Sequence, residues 1–193
     1  MEKSLAGRFL VASPSMKDPV FSKTVILIVG HDDKMGALGV VINREAGITL
    51  SQACEQLKCP CTSPDGNERL GWGGPVAGSR GFIVHSPASS DDPVIFHNDA
   101  VAVGSSVEML KDIALGKGPA KHYIALGCAG WTPGQLESEI KSGAWLDAPW
   151  DAHVMFELPV EKRYEAALAV AGMEESVFDK VPAAFRMTGV GHA

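Results

Sequence analysis

Two strand-length apolar runs, with a polar turn between them, dictate most of what this chain can become. Val25-Ile26-Leu27-Ile28-Val29 holds no polar position, so it reads as a buried strand. Gly36-Ala37-Leu38-Gly39-Val40-Val41-Ile42-Asn43 follows after Asp32-Asp33-Lys34, and the pair reads as an antiparallel hairpin. Phe9-Leu10-Val11-Ala12 reads as a third strand ahead of them. A chain of 193 residues is one domain by default and buries roughly 70% of its unfolded surface, enough for a core without staples.

Helices and further strands alternate along the remainder. Thr49-Leu50-Ser51-Gln52 has capping-box spacing and predicts a helix from Leu50 to about Leu57. Cys59 to Asn67 reads as an exposed loop, Gly81 to His85 as a strand, and Pro93 to Val103 as a hairpin turning at Asn98-Asp99. Ser105-Ser106-Val107-Glu108 is a second capping box, with its helix stopping near Gly116. After a strand at His122 to Leu126, Thr132-Pro133-Gly134-Gln135 predicts an N-cap and a helix running to Ser142-Gly143. His153 to Leu158 reads as a last strand. Pro159 to Ala171 reads as a last helix, with Tyr164, Ala167, Leu168 and Ala171 on one face. Hairpins outnumber βαβ units, so the expected fold is α/β of the α+β kind: one domain over 1–193 with a mixed sheet and helices packed on it.

Charge and composition exclude several classes. The 46% apolar and 21% charged shares are those of a globular protein. No run reaches the ~18 apolar residues that span a bilayer, and Met1 to Phe9 shows no signal-peptide pattern. Four cysteines are too few for a disulfide scaffold, so a cytoplasmic protein with reduced thiols is expected. The net charge of −6, with dispersed lysines and no helix-turn-helix pattern, argues against direct nucleic-acid binding.

Five groups of residues invite a chemical reading. Gly127-Cys128-Ala129-Gly130-Trp131-Thr132-Pro133-Gly134 reads as a glycine loop between strand and helix. Such a loop either aims free N–H groups at an anion or lets the helix approach the sheet, with Trp131 packed across it. Cys128 is either a nucleophile activated by that helix end or a buried thiol. Cys54, Cys59 and Cys61 form a poor zinc pattern, so no metal is expected. His31-Asp32-Asp33 reads as a turn rather than a cation site, and His85-Ser86 as an unlikely dyad because the two side chains point to opposite faces. Arg44 and Arg80 flank apolar strands. They either frame a polar cleft for a carboxylate or phosphate, or bond turn carbonyls.

Four stretches together resemble the YqgE/AlgH family of bacterial proteins. They are Gly7 to Met16 with Asp18-Pro19-Val20-Phe21, Gly36 to Arg44, Gly73-Gly74-Pro75-Val76 with Arg80 to Ser86, and Ala125 to Trp131 leading into Gly134 to Glu137; Ala144-Trp145-Leu146 closes the set. The resemblance spans Leu5 to Ala169 and departs in the loop Cys59 to Arg69 and at Cys128. It implies a largely antiparallel sheet folded into a flattened, barrel-like core with helices outside, and a link to transcriptional regulation. It brings no catalytic residue and no cofactor. The expected function is therefore a cytoplasmic regulatory or interaction protein working through a protein or a small anionic ligand. The alternative is an enzyme or small-molecule binder using Gly127, Cys128, Gly130, Trp131 and Thr132 with Arg44 or Arg80.

Overall fold

The apolar hairpin forms as the sequence dictates. Strands β1 (Phe9–Ala12), β2 (Val25–Asp32) and β3 (Gly36–Val41) pair antiparallel, and every residue from Val25 to Val29 is buried. The computed structural model describes residues 4–87 and 93–173, so the histidine His192 lies outside the described residues. At the hairpin turn the Asp32 carboxylate accepts the N–H groups of Lys34 and Met35, which is the turn chemistry expected there.

Seven more strands complete the sheet: β4 (Glu45–Thr49), β5 (Arg69–Trp72), β6 (Val76–His85), β7 (Val94–His97), β8 (Ala102–Gly104), β9 (His122–Trp131) and β10 (Trp145–Ala148). Their order is β10-β1-β2-β3-β9-β6-β8-β7, with β5 joined to β9 and β4 to β5. Among the described residues only the β5–β9 pairing is parallel. Strand β9 is shared: its first half pairs with β5, its second half with β3, and its other edge with β6. β7 curls round to pack beside β2, but no ladder joins them among the described residues, so the sheet does not close.

Helices α1 (Leu50–Gln56), α2 (Val107–Ala114), α3 (Gln135–Lys141), α4 (Ala152–Phe156) and α5 (Arg163–Val170) pack outside. The Thr49–Gln52 capping box forms reciprocally at α1. At α2 the cap falls on Ser106 rather than Ser105, because it is the Ser106 hydroxyl that accepts the Met109 N–H. One core lies between the sheet and α3 to α5; a second, smaller core lies under α1 and α2.

Three expectations are corrected. His153 to Leu158 is not a strand: the Asp151 carboxylate caps the N–H groups of His153 and Val154 and starts α4 there. The edge strand is β10 instead. The last helix opens as a 3-10 turn at Val160–Lys162 before α5 begins. The segment after Cys59 is not simply exposed, since a 3-10 turn at Pro64–Asn67 buries Gly66 and Cys61 packs against the second core.

Helix α3 is held by its acidic residues. Glu139 accepts the indole N–H of Trp131 at 2.9 Å and of Trp145 at 2.8 Å on one oxygen, and the Gln135 amide at 2.9 Å on the other. The two indoles meet edge to face at 6.0 Å. Glu137 accepts the Nε2–H of His31, whose Nδ1 in turn accepts the Leu5 N–H at 3.1 Å. One side chain thus ties α3, β2 and the N-terminal segment together.

Two predictions follow from this docking. Glu139→Ala strands two buried indole donors and should cost about 3 kcal/mol in urea unfolding, whereas Glu139→Gln, keeping an acceptor, should cost about 1 kcal/mol. Equal losses would refute the shared-acceptor account. Glu137 is held below its usual carboxyl range by a bond from its own backbone N–H and then by His31. Its stabilisation is therefore complete above the ordinary value of 4.5 and is lost as pH falls through the lower folded value. Melting temperatures of Glu137→Gln should be lower than wild type at neutral pH and converge with it in acid; parallel curves would contradict the pairing.

Candidate functional site

The glycine segment does not form the expected loop. Gly127 to Trp131 continue β9, with Cys128 opposite Val76, Ala129 opposite Gly39, Gly130 opposite Leu38 and Trp131 opposite Ala37. The ladders run through to Trp131, and α3 starts only after Gly134, a left-handed N-cap with no side-chain bond. Thr132 is not the cap: its N–H and hydroxyl both donate to the Gln135 side chain, at 3.0 and 3.1 Å. What the glycines provide is a close crossing. A Cβ on Gly74 would lie 2.2 Å from the Cys128 carbonyl carbon, and one on Gly127 would lie 2.4 Å from the Gly74 oxygen.

Cys128 is therefore mid-strand and buried, away from any helix end. Burial pushes its thiol up, opposed by the nearby Arg80 charge, so of the two readings weighed for Cys128 the fold gives the buried thiol. Arg44 donates to the Ser22 carbonyl at 2.8 Å and lies over Trp72. Arg80 reaches the Ser105 hydroxyl at 3.3 Å and lies over Phe82. The two guanidinium groups thus have separate partners rather than a common cleft, and Arg44 makes the turn-carbonyl bond weighed as its structural role. Among the described residues no group of three or more His, Cys, Asp or Glu is arranged to hold a metal ion.

The fold does form a cleft, elsewhere. It has a volume of about 540 Å³ and lies between α1 with its following 3-10 turn, strands β4, β5 and β9, and the α4–α5 segment. Arg163 is the cation of its buried wall, only 7% exposed. Its Nη1 donates to the Ile42 carbonyl at 2.6 Å, its Nε to the Leu158 carbonyl at 3.1 Å, and its plane lies 4.8 Å from the Tyr123 ring. Among the described residues no carboxylate forms an ion pair with it. Burial lowers its pKa, while Tyr123 and Glu161 support the charge. Burial likewise pushes the Tyr123 phenol up, so it stays a neutral donor, here to the Arg44 carbonyl at 3.3 Å.

The rim of the cleft is acidic. Asp65, Glu68 and Glu161 line it, with Glu45 paired to Arg69 at 3.6 Å. Sequence reading passed over Arg163, although a signal was present: it stands four residues before Ala167, on the stripe that the last helix buries. A cation on an apolar stripe is worth a partner search.

Comparison with known proteins follows the same fold. A family model described as DUF179: AlgH-like matches residues 9–176. A UPF0301 protein of Chromobacterium violaceum is 37% identical over 98% of both chains, and one of Thiobacillus denitrificans is 40% identical over 89% of this chain and 92% of its own. The solution structure of the AlgH protein from Pseudomonas aeruginosa, 39% identical, covers 100% of both chains with a TM-score of 0.76. Protein DIP2367 from Corynebacterium diphtheriae, 23% identical with a TM-score of 0.65, shares the fold. With the match running through both cores and the β9 crossing, the chain belongs to the AlgH-like family.

Proposed function

We propose that the protein is a cytoplasmic regulatory binding protein whose ligand is a small zwitterion lodged in the cleft. The observation that carries this reading is Arg163, a buried guanidinium on the cleft wall that among the described residues bonds to carbonyls, lies over a ring and forms no ion pair. A carboxylate on the ligand supplies the charge that Arg163 lacks, in a setting where charge-assisted bonds are strong. The acidic rim at Asp65, Glu68 and Glu161 repels a simple anion and attracts an ammonium group. A ligand with both charges satisfies both walls. The regulatory half of the reading rests on the family resemblance. At a net charge of −6, an effect on transcription is better transmitted through a partner than by contact with DNA phosphates.

Ligand-observed NMR with amino acids, dicarboxylates, phosphate esters and polyamines tests the reading. Saturable binding is expected for molecules carrying both charges. It should weaken at least about tenfold in the exposed-rim double variant Glu68→Gln, Glu161→Gln, a loss of about 1.4 kcal/mol. Binding of plain anions in preference, or of nothing in the panel, overturns it.

A further inference from the structure

Three of the four cysteines, Cys54, Cys59 and Cys61, fall within eight residues and pack at the second core. After α1 the chain reverses at Lys58, whose φ of 53° is left-handed, and the Cys59 N–H returns to the Cys54 carbonyl at 2.9 Å. That bond keeps the two backbones inside the roughly 7 Å between Cα atoms beyond which a disulfide cannot close. Cys61 follows, its sulfur accepting the Ser51 hydroxyl at 3.6 Å, with Gly66 packed directly over both. Cys54 is buried, whereas Cys59 and Cys61 are half-buried and pack against its cluster. Of the two outer cysteines, Cys59 is the one whose backbone is tied directly to that of Cys54, through that N–H bond. Cys128 belongs to the other core, which makes it a built-in control.

A single buried cysteine is ordinarily a small apolar residue. One buried thiol with two half-buried thiols packed on the same cluster is a different arrangement, because a sulfur oxidised on the outside has a reduced one close by in the chain. We propose that this cluster is an oxidisable dithiol site, at which one equivalent of a hydroperoxide closes an intramolecular disulfide onto Cys54, with Cys59 as its partner. The Cys59 thiolate attacks one peroxide oxygen; the S–O bond forms, the O–O bond breaks, and water or an alcohol leaves. The Cys54 sulfur, giving up its proton, then attacks the Cys59 sulfur of the sulfenic acid, and the oxygen departs as water. Two thiols lose two electrons and the peroxide gains them. Burial and the two neighbouring thiols push Cys54 up to about 12, so its thiolate is scarce at neutral pH and the closing step quickens as pH rises.

The test uses the full chain, reduced, then treated with one equivalent of hydrogen peroxide and alkylated after denaturation. Mass spectrometry should show two of the four thiols protected, a loss of two hydrogens before alkylation, and a Cys54–Cys59 cross-linked peptide. Closure should accelerate about tenfold per pH unit below the Cys54 value. Cys128→Ser should behave as wild type, and Cys54→Ser should instead accumulate a sulfenic acid that dimedone traps. Because Cys54 is buried, the double variant Cys59→Ser, Cys61→Ser provides a second check, and it should show no closure. Four alkylated thiols, a bond that involves Cys128, or disulfides only between chains would overturn the proposal. None of these readouts depends on what the cleft binds.

Discussion

The crossing of Gly73-Gly74 under Gly127-Cys128 is the constraint on which the remaining architecture depends. Strand β9 serves two halves of the sheet, and it can do so only where its neighbours approach without side chains. The Gly73 N–H donates to the Leu126 carbonyl at 2.7 Å, while the Val41 N–H donates to the Gly73 carbonyl at 2.8 Å. Gly73 is therefore the stitch between the apolar hairpin and β9. The backbone-to-backbone distances there leave no room for a Cβ, and no rotamer change relieves a clash with a carbonyl. From that crossing follow the continuation of β9 to Trp131, the position of Trp131 against Glu139, and the seat of α3.

The same geometry explains which parts of the fold were legible in the sequence. The hairpin, the α1 capping box and the buried face of the last helix are local patterns, and local patterns survive folding when tertiary contacts agree with them. The Gly127–Gly134 segment failed as a loop because glycine marks two situations alike: a turn, and a strand that another backbone must approach. Only the partner, Gly73-Gly74, distinguishes them, and it lies more than fifty positions away. His153 to Leu158 failed for a different reason. Its apolar residues suit either period over so short a run, and Asp151 decided the matter by capping two N–H groups.

The cleft was legible only in its cation, for a physical reason. Its walls come from four separated stretches, and only Arg163, on the buried stripe of the last helix, leaves a trace in a local pattern. What removes Arg163 from water is the packing of α5 against the sheet, which brings it to the Ile42 carbonyl just after β3 and to the Tyr123 ring of β9. Carbonyl dipoles and a ring quadrupole compensate part of the desolvation of a guanidinium, but they bring no opposite charge. A buried ion left in that state has more to gain from an incoming carboxylate than an exposed ion has, since the desolvation has already been met in folding.

The two inferences drawn from the fold meet at one element. The 3-10 turn at Pro64–Asn67 carries Asp65 to the cleft, while its Gly66 rests on Ser51 and Cys61. The part of the lining that Asp65 supplies thus stands on thiols. The proposed disulfide would fall on the segment that leads into that turn, whereas Arg163 is held separately, from α5 and by the Ile42 carbonyl. A zwitterion, with its two charges a fixed distance apart, is the kind of ligand most sensitive to how that turn spaces Asp65 from Arg163.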